Sequence, residues 1–231
     1  MSLLCVRVPH EIARALSGIE IPGEKEPVDH FHISVLYLGK DTPVEQLMEA
    51  ATATYEVTSK FPPFTVQTGR VSTFPRNPDD GTPIIARMDS LALHELQGAL
   101  KDSFKEKGVT FSDKYPDYKP HVTLGYNQDE GVEIKDQKID PPVQWGVGEL
   151  TLWGGDVGDE RLYVTFPLSV PPTKAAMQRI ASKLALARTV SPERIVARFK
   201  NAHDENGYCD PNCPCHKKTL AERIVTAFLQ R

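Results

Sequence analysis

The chain has 231 residues, of which 40% are hydrophobic, 25% charged and 8% aromatic, an ordinary globular composition that excludes a wholly disordered protein. Its longest run without Lys, Arg, Asp or Glu is residues 162–173, which is shorter than the roughly 18 apolar residues that a membrane-spanning helix needs. Arg7 and Arg14 interrupt the apolar stretch that a secretory signal requires. We therefore expect a cytoplasmic protein that makes no contact with a membrane.

Charge and cysteine are distributed unevenly along the chain. Residues 1–170 carry 16 basic and 26 acidic side chains, a net charge of −10, whereas residues 171–231 carry 11 basic and 5 acidic side chains, a net charge of +6. Three of the four cysteines lie within residues 209–215. Together with the Pro171-Pro172 pair, this contrast predicts a main domain over residues 1–170 and a basic helical tail over residues 171–231.

Strand and helix patterns alternate along the main domain. In chain order they predict a strand at 3–8, a helix at 9–16, a polar loop at 23–29, a strand at 31–38, a helix at 43–59, a strand at 64–74, a turn at 75–81, a strand at 84–88, a helix at 91–107 that ends at Gly108, and strands at 121–126, 143–153 and 161–169. The tail pattern predicts helices at 174–187, from Ser191-Pro192 to Phe199, and from Thr219 to the end. The fold class is therefore α+β with a helical tail.

Two of the predicted strands begin with the same pattern, 89 residues apart. The two copies are His32-Ile33-Ser34-Val35-Leu36-Tyr37 and His121-Val122-Thr123-Leu124-Gly125-Tyr126. Because alternate residues of a strand share a face, the imidazole and the hydroxyl of each copy point one way, and Tyr37 and Tyr126 are expected on the opposite, packing face.

Two such faces across a groove suit phosphodiester cleavage without a metal. One neutral imidazole takes a proton from the attacking hydroxyl or water, and the other, protonated, gives a proton to the leaving oxygen. The hydroxyls of Ser34 and Thr123 donate hydrogen bonds to the phosphate oxygens. The pattern does not indicate which histidine is the acid, nor whether a 2′-hydroxyl or water attacks.

These motifs resemble those of the 2H phosphoesterase superfamily, in its LigT-like branch. The segments that carry the resemblance are residues 31–39, Gly69 through Phe74-Pro75-Arg76, and residues 120–124. Ser34 stands where threonine is commoner in the family, but it keeps the hydroxyl. The resemblance covers about residues 1–170 and implies two similar lobes, related by a pseudo-twofold axis, around a groove lined by His32, Ser34, His121 and Thr123.

The resemblance also implies a metal-independent phosphodiesterase acting on nucleotides. Its substrates would be 2′,3′-cyclic phosphates at RNA ends, 2′-5′ linkages, or oligonucleotide second messengers, the last cleaved by viral relatives that degrade immune signals. The net negative charge of the main domain favours a small nucleotide over a long nucleic acid. A non-catalytic protein that sequesters a nucleotide is the alternative from another class.

Residues in two loops are candidates for binding the substrate. Phe74 and Arg76 lie at the predicted hairpin turn, and Tyr115, Tyr118 and Lys119 precede the second motif. Their aromatic rings can stack on a base, and Arg76 and Lys119 can bind a phosphate. The alternatives are that Phe74 packs in the core and that the tyrosines only cover a loop.

The tail contains a cluster of soft metal ligands, Cys209, Cys213, Cys215 and His216. Four such ligands can hold a structural zinc ion, but the spacing is not that of a standard zinc finger, so free thiols or one disulfide are alternatives. The catalytic pair itself would need no cofactor. The positive charge of the tail predicts docking on the acidic main domain, with a nucleic acid or a protein as other partners.

Overall fold

The computed structural model describes residues 2–40, 42–114, 117–129, 131–154, 163–171 and 173–187. Within these ranges the strands are β1 (Ser2–Arg7), β2 (Glu24–Lys25), β3 (His32–Gly39), β4 (Phe64–Thr73), β5 (Thr82–Asp89), β6 (His121–Asn127), β7 (Gln137–Lys138), β8 (Gln144–Val147), β9 (Glu149–Gly154) and β10 (Tyr163–Pro167). The helices are α1 (His10–Ser17), α2 (Val44–Thr58), α3 (Leu91–Glu106) and α4 (Lys174–Ala187), and a 3-10 turn spans Val28–His30.

Local sequence signals account for the ends of the helices. Pro9 and Pro43 each lie one residue before a helix, where a missing N–H costs no helical hydrogen bond. Ser90 begins α3, because its Oγ accepts a hydrogen bond from the Leu93 N–H at 3.3 Å. Gly108 follows α3 with a φ of 66°, a conformation that favours glycine and stops the helix.

The strands form one antiparallel sheet in the order β10-β9-β1-β3-β6-β5-β4-β7, with β2 paired to β6 and β8 paired to β4. Apolar side chains from the helices and from one face of the sheet build a continuous core, in which Leu16, Leu96 and Phe104 are fully buried. The other face of the sheet carries polar side chains and a small second cluster of buried residues, Leu3, Cys5 and Trp153. This architecture confirms the predicted α+β class.

The sheet has two similar halves that meet at the pair β3 and β6. In one half the order is β9-β1-β3, and in the other it is β4-β5-β6. In each half a strand leads into a helix and the chain then returns as the motif strand, through α1 in the first half and α3 in the second. These halves are the two pseudo-twofold-related lobes that the resemblance implied.

Two predicted elements differ from the structure. The predicted strand at 143–153 is divided at Gly148, because β8 pairs with β4 in the second lobe whereas β9 pairs with β1 in the first. The predicted polar loop at 23–29 contains β2, which pairs with β6, and part of the 3-10 turn. In both places the secondary structure depends on pairing with a strand that is distant in the sequence, which local patterns do not reveal.

Helix α4 has the bounds predicted for the first tail helix and packs on the main core. Met177, Ile180, Ala181 and Leu184 are buried in the same cluster as the helices of the main domain. This contact is apolar, so docking of the tail through its charge stays a prediction. The other predicted tail helices and the cysteine cluster lie outside the described residues. Among the described helices, none combines the length and the apolar character needed to cross a bilayer.

If α4 is part of the main core, Leu184→Ala lowers the free energy of unfolding by about 2–5 kcal/mol, the usual cost of emptying a buried leucine site. Arg179→Ala on the exposed face of the same helix is the control and changes stability little. Urea denaturation measures both. Equal effects of the two substitutions would contradict the buried position of Leu184.

Candidate active site

The two motif strands place their polar side chains on the open face of the sheet. Strands β3 and β6 are antiparallel and are registered at Ile33 with Val122, both fully buried toward the helices. The residues on either side of this pair point the opposite way. The structure thus brings together the four predicted catalytic residues, all half-buried, namely His32, Ser34, His121 and Thr123.

The register also fixes how these four side chains are arranged. When the antiparallel pairing of Ile33 with Val122 is continued by one residue in each direction, His32 lies beside Thr123 and Ser34 lies beside His121. Direct neighbours in an antiparallel pair have Cβ atoms roughly 4.5–5.5 Å apart, and diagonal neighbours about 7–8 Å. The two imidazoles therefore lie on one diagonal and the two hydroxyls on the other, as a pseudo-twofold axis requires.

Each imidazole is held by a backbone carbonyl two residues earlier. The Nδ1–H of His32 donates to the His30 carbonyl at 2.7 Å, and that of His121 donates to the Lys119 carbonyl at 2.6 Å. Because a carbonyl oxygen only accepts, Nδ1 carries the proton of the neutral ring. Nε2 is then the atom through which each histidine exchanges a proton.

An aromatic ring fixes each imidazole from the side. Trp153 of β9 lies edge-on to His32 with ring centres 4.6 Å apart, and Phe74, directly after β4, lies edge-on to His121 at 4.7 Å. These two strands have equivalent places in the two lobes. Packing and backbone hydrogen bonding together restrict both imidazoles to one orientation.

Burial lowers the pKa of His121, and the positive charges of His32 and Arg87 lower it further, whereas the hydrogen bond to the Lys119 carbonyl acts against them. The neutral form of His121 is therefore favoured. A neutral imidazole with a protonated Nδ1 offers Nε2 as a base.

A β-bulge in each motif strand corrects the predicted positions of two tyrosines. The pairing with the neighbouring strand skips Val35 in β3 and Leu124 in β6, and an extra residue of this kind reverses the alternation that follows it. Tyr37 consequently packs with Trp153 on the face that carries His32. Tyr126 hydrogen-bonds with Thr123, so it also lies on the site face and not on the packing face.

The comparison with family models agrees with this geometry. The model of the 2′-5′ RNA ligase superfamily matches residues 8–159. The chain belongs to this superfamily. This match confirms the resemblance to the LigT-like 2H phosphoesterases, so the superfamily of this chain is one of phosphoesterases.

Solved structures share the fold of this 2′-5′ RNA ligase superfamily member. The structure of TT0787 from Thermus thermophilus matches with a TM-score of 0.58 and 20% identity, over 73% of this chain and 97% of that one. Escherichia coli LigT complexed with 3′-AMP matches with a TM-score of 0.54 and 18% identity, over 73% and 97%. At such identities the likeness concerns the fold. No curated protein sequence matches the chain.

The predicted substrate-binding residues have different surroundings. Phe74 lies against His121, as described above. The Arg76 guanidinium donates to the carbonyls of Gln128 at 2.8 Å and Asp129 at 3.3 Å, which ties the hairpin turn to the loop after β6. Their role in binding a substrate stays a prediction.

The loop before the second motif is anchored to the first motif strand. The Tyr118 hydroxyl donates to the Ser34 carbonyl at 3.1 Å, and burial raises the pKa of Tyr118. The Lys119 side chain is exposed, while its carbonyl holds His121. Tyr115 lies outside the described residues.

Two arginines beside the motif histidines were missed in the sequence. Arg7 is the β1 partner of His32, and Arg87 is the β5 partner of His121, so each shares a face with its histidine. The Arg87 Nε–H donates to Ser72 Oγ at 2.8 Å, and the guanidinium lies 4.0 Å from the Asp136 carboxylate. In each of the predicted strands 3–8 and 84–88, the arginine is the one charged residue among apolar neighbours, and this could have indicated a functional position.

The predicted zinc ligands Cys209, Cys213, Cys215 and His216 lie outside the described residues, so a structural zinc stays a prediction. Within the described ranges, no three His, Cys, Asp or Glu side chains are grouped so that they could hold a metal ion.

The electrostatics of His121 can be measured directly. We expect its ring protons to titrate in NMR spectra with a midpoint below the ordinary value of 6.5. Arg87→Gln should raise that midpoint, since it removes a positive charge. Arg14→Gln on α1, remote from the site, is the control. A midpoint above 6.5, or no upward change in the Arg87 variant, would contradict this assignment.

Proposed function

We propose that the protein is a metal-independent phosphodiesterase that hydrolyses nucleotide phosphodiester bonds by paired-histidine acid–base catalysis. The observation that carries this proposal is the pseudo-twofold arrangement of His32 and His121, each with Nδ1–H held by a carbonyl and each beside a hydroxyl. Its substrates are small cyclic or 2′-5′ or 3′-5′ linked nucleotides, cyclic oligonucleotide immune signals among them. A 2′,3′-cyclic phosphate at an RNA end is the second candidate within this class.

The geometry supports a division of labour between the histidines. His121, whose pKa is lowered by burial and by nearby cations, is the base: its Nε2 takes the proton of the attacking 2′-hydroxyl or water. His32 is the acid, and its Nε2–H protonates the leaving oxygen as the P–O bond breaks. His121 ends the reaction protonated and His32 neutral, and exchange with water restores both.

Ser34 and Thr123 support the phosphate between the two rings. Each hydroxyl lies beside the histidine of the other strand by the register of β3 and β6. From there the hydroxyls can donate to the two non-bridging oxygens, on which negative charge accumulates in the transition state. This use of the hydroxyls explains why both motifs need a serine or threonine two residues after the histidine.

The structural neighbours support a nucleotide as substrate. Structures of Escherichia coli LigT exist with 3′-AMP, with phosphate and with ATP. Between its two imidazoles, the present chain can take a ligand of the same chemical class, a phosphate joined to a nucleoside.

We expect His32→Ala and His121→Ala each to reduce turnover by about 10²–10⁴, the usual contribution of one general acid or base. Turnover is followed by chromatography, in the presence of a chelator, on 2′,3′-cyclic nucleotides, 2′-5′ and 3′-5′ oligoadenylates, and cyclic di- and trinucleotides. His10→Ala at the exposed start of α1 is the control. Wild-type protein that binds these nucleotides without cleaving any would instead indicate sequestration.

The division of labour predicts the pH dependence. The rate kcat/KM should rise with pH as His121 loses its proton, and Arg87→Gln should move this rising limb to higher pH because it raises the pKa of the base. The falling limb, assigned to His32, should move less. A variant in which only the falling limb moves would reverse the assignment.

A further inference from the structure

The Tyr118 hydroxyl links the loop before β6 to the first motif strand. In the described part of the chain, the registered pairing of β3 with β6 consists of one residue pair, Ile33 with Val122. Contacts beside this pair therefore help to set the distance and the angle between the two imidazoles. Tyr118 makes such a contact, because its hydroxyl donates a hydrogen bond to the Ser34 carbonyl of β3 at 3.1 Å.

Both parts of the Tyr118 side chain are engaged within the protein. Its ring packs against the main core and lies edge-on to the His94 ring of α3, with ring centres 5.3 Å apart. Burial raises the pKa of Tyr118, so the phenol keeps the proton that its hydrogen bond to Ser34 needs. Tyr118 is therefore placed to support the site from the core.

The two residues between Tyr118 and His121 form a stiff connection. The Lys119 carbonyl accepts the Nδ1–H of His121 at 2.6 Å. Pro120 fixes its own φ and restricts Lys119 to extended backbone. The Pro120 carbonyl in turn accepts the Met88 N–H of β5 at 2.9 Å. Because this backbone has little freedom, a shift of Tyr118 would move the Lys119 carbonyl relative to the His121 ring.

The first lobe makes its corresponding link with backbone atoms. The Glu26 N–H donates to the Leu124 carbonyl of β6 at 2.8 Å. The Glu26 carboxylate lies 2.9 Å from the ring of His30, whose carbonyl accepts the Nδ1–H of His32. A side-chain substitution leaves this backbone bond in place. In the second lobe the link is a side-chain hydroxyl, so its removal affects His121 and leaves the link on the His32 side intact.

We propose that Tyr118 is a positioning residue that orients His121 through the Lys119 carbonyl and ties this orientation to the first motif strand. The inference rests on the proposed function, because the direction of the His121 Nε2 affects the rate only if that atom exchanges a proton with the substrate. Tyr118 thus acts on the reaction through His121, whereas the sequence suggested that it contacts the substrate.

The orientation of His121 can be measured without a substrate. Tyr118→Phe removes the hydroxyl and keeps the ring, and nitrogen NMR spectra of the imidazoles report the tautomers of the neutral histidines. In the wild type we expect the Nδ1–H form at both motif histidines. In the variant the Nε2–H fraction of His121 should rise about three- to tenfold, the effect of one ordinary hydrogen bond, while that of His32 stays unchanged. Tyr55→Phe, which removes a tyrosine hydroxyl from α2, is the matched control.

Kinetics separate positioning from contact with the substrate. We expect Tyr118→Phe to lower kcat about three- to tenfold and to leave KM within about twofold of the wild type. Burial lowers the pKa of His121, the bond to the Lys119 carbonyl opposes this effect, and the charges of His32 and Arg87 lower the pKa further. A weaker bond to the carbonyl should therefore move the rising limb of kcat/KM to lower pH, the opposite direction to Arg87→Gln.

A second variant provides the same test if Tyr118→Phe folds poorly. His94→Ala removes the ring contact from the exposed surface of α3 and leaves the Tyr118 hydroxyl in place. It should raise the Nε2–H fraction of His121 by a smaller factor than Tyr118→Phe, again with His32 unchanged.

Three outcomes would overturn the role of Tyr118. The first is an unchanged tautomer of His121 in the folded variants. The second is a raised KM with an unchanged kcat, which would indicate contact with the substrate. The third is an equal change at His32 and His121, which would indicate a general loosening of the fold. Because the spectra require no turnover, an inactive wild type would instead contradict the proposed function alone.

Discussion

The pairing of Ile33 with Val122 is the contact on which the active site depends. In the described part of the chain it is the registered link between β3 and β6, and it joins the two halves of the sheet. Both side chains are fully buried, so a shift by one residue would expose them and turn the histidines into the core. Hydrophobic burial on one face therefore enforces the register of the candidate site on the other.

Besides this registered pair, β3 and β6 each have a second partner in the loop that precedes the other motif. Strand β2 pairs with β6, and the Ser112 N–H donates to the Tyr37 carbonyl of β3 at 2.8 Å. Gly125 permits the first of these contacts, since a Cβ there would collide with the Glu24 backbone. The same two loops end at the carbonyls that hold the motif histidines, so each lobe helps to orient the imidazole of the other.

The sequence is most informative where a pattern is local. Both His-x-hydroxyl motifs, the helix bounds and the α+β class follow from periodicity, capping and spacing. The bulges at Val35 and Leu124 do not, because a bulge is defined by the neighbouring strand, and so Tyr37 and Tyr126 were assigned to the wrong face. Trp153 reaches His32 only through a pairing of β9 with β1 across nearly the whole main domain.

The pseudo-twofold axis relates the surroundings of the two histidines as well as the backbones of the two lobes. Arg7 is the β1 partner of His32, as Arg87 is the β5 partner of His121, and a backbone carbonyl and an aromatic ring hold each imidazole. Burial lowers the pKa of His121, and the positive charges of His32 and Arg87 lower it further. Because a proton on His32 disfavours a proton on His121, the two rings titrate as a coupled pair and not as two independent groups. A pair that shares one proton in this way meets the electrostatic condition for acid–base chemistry on a group bound between the rings.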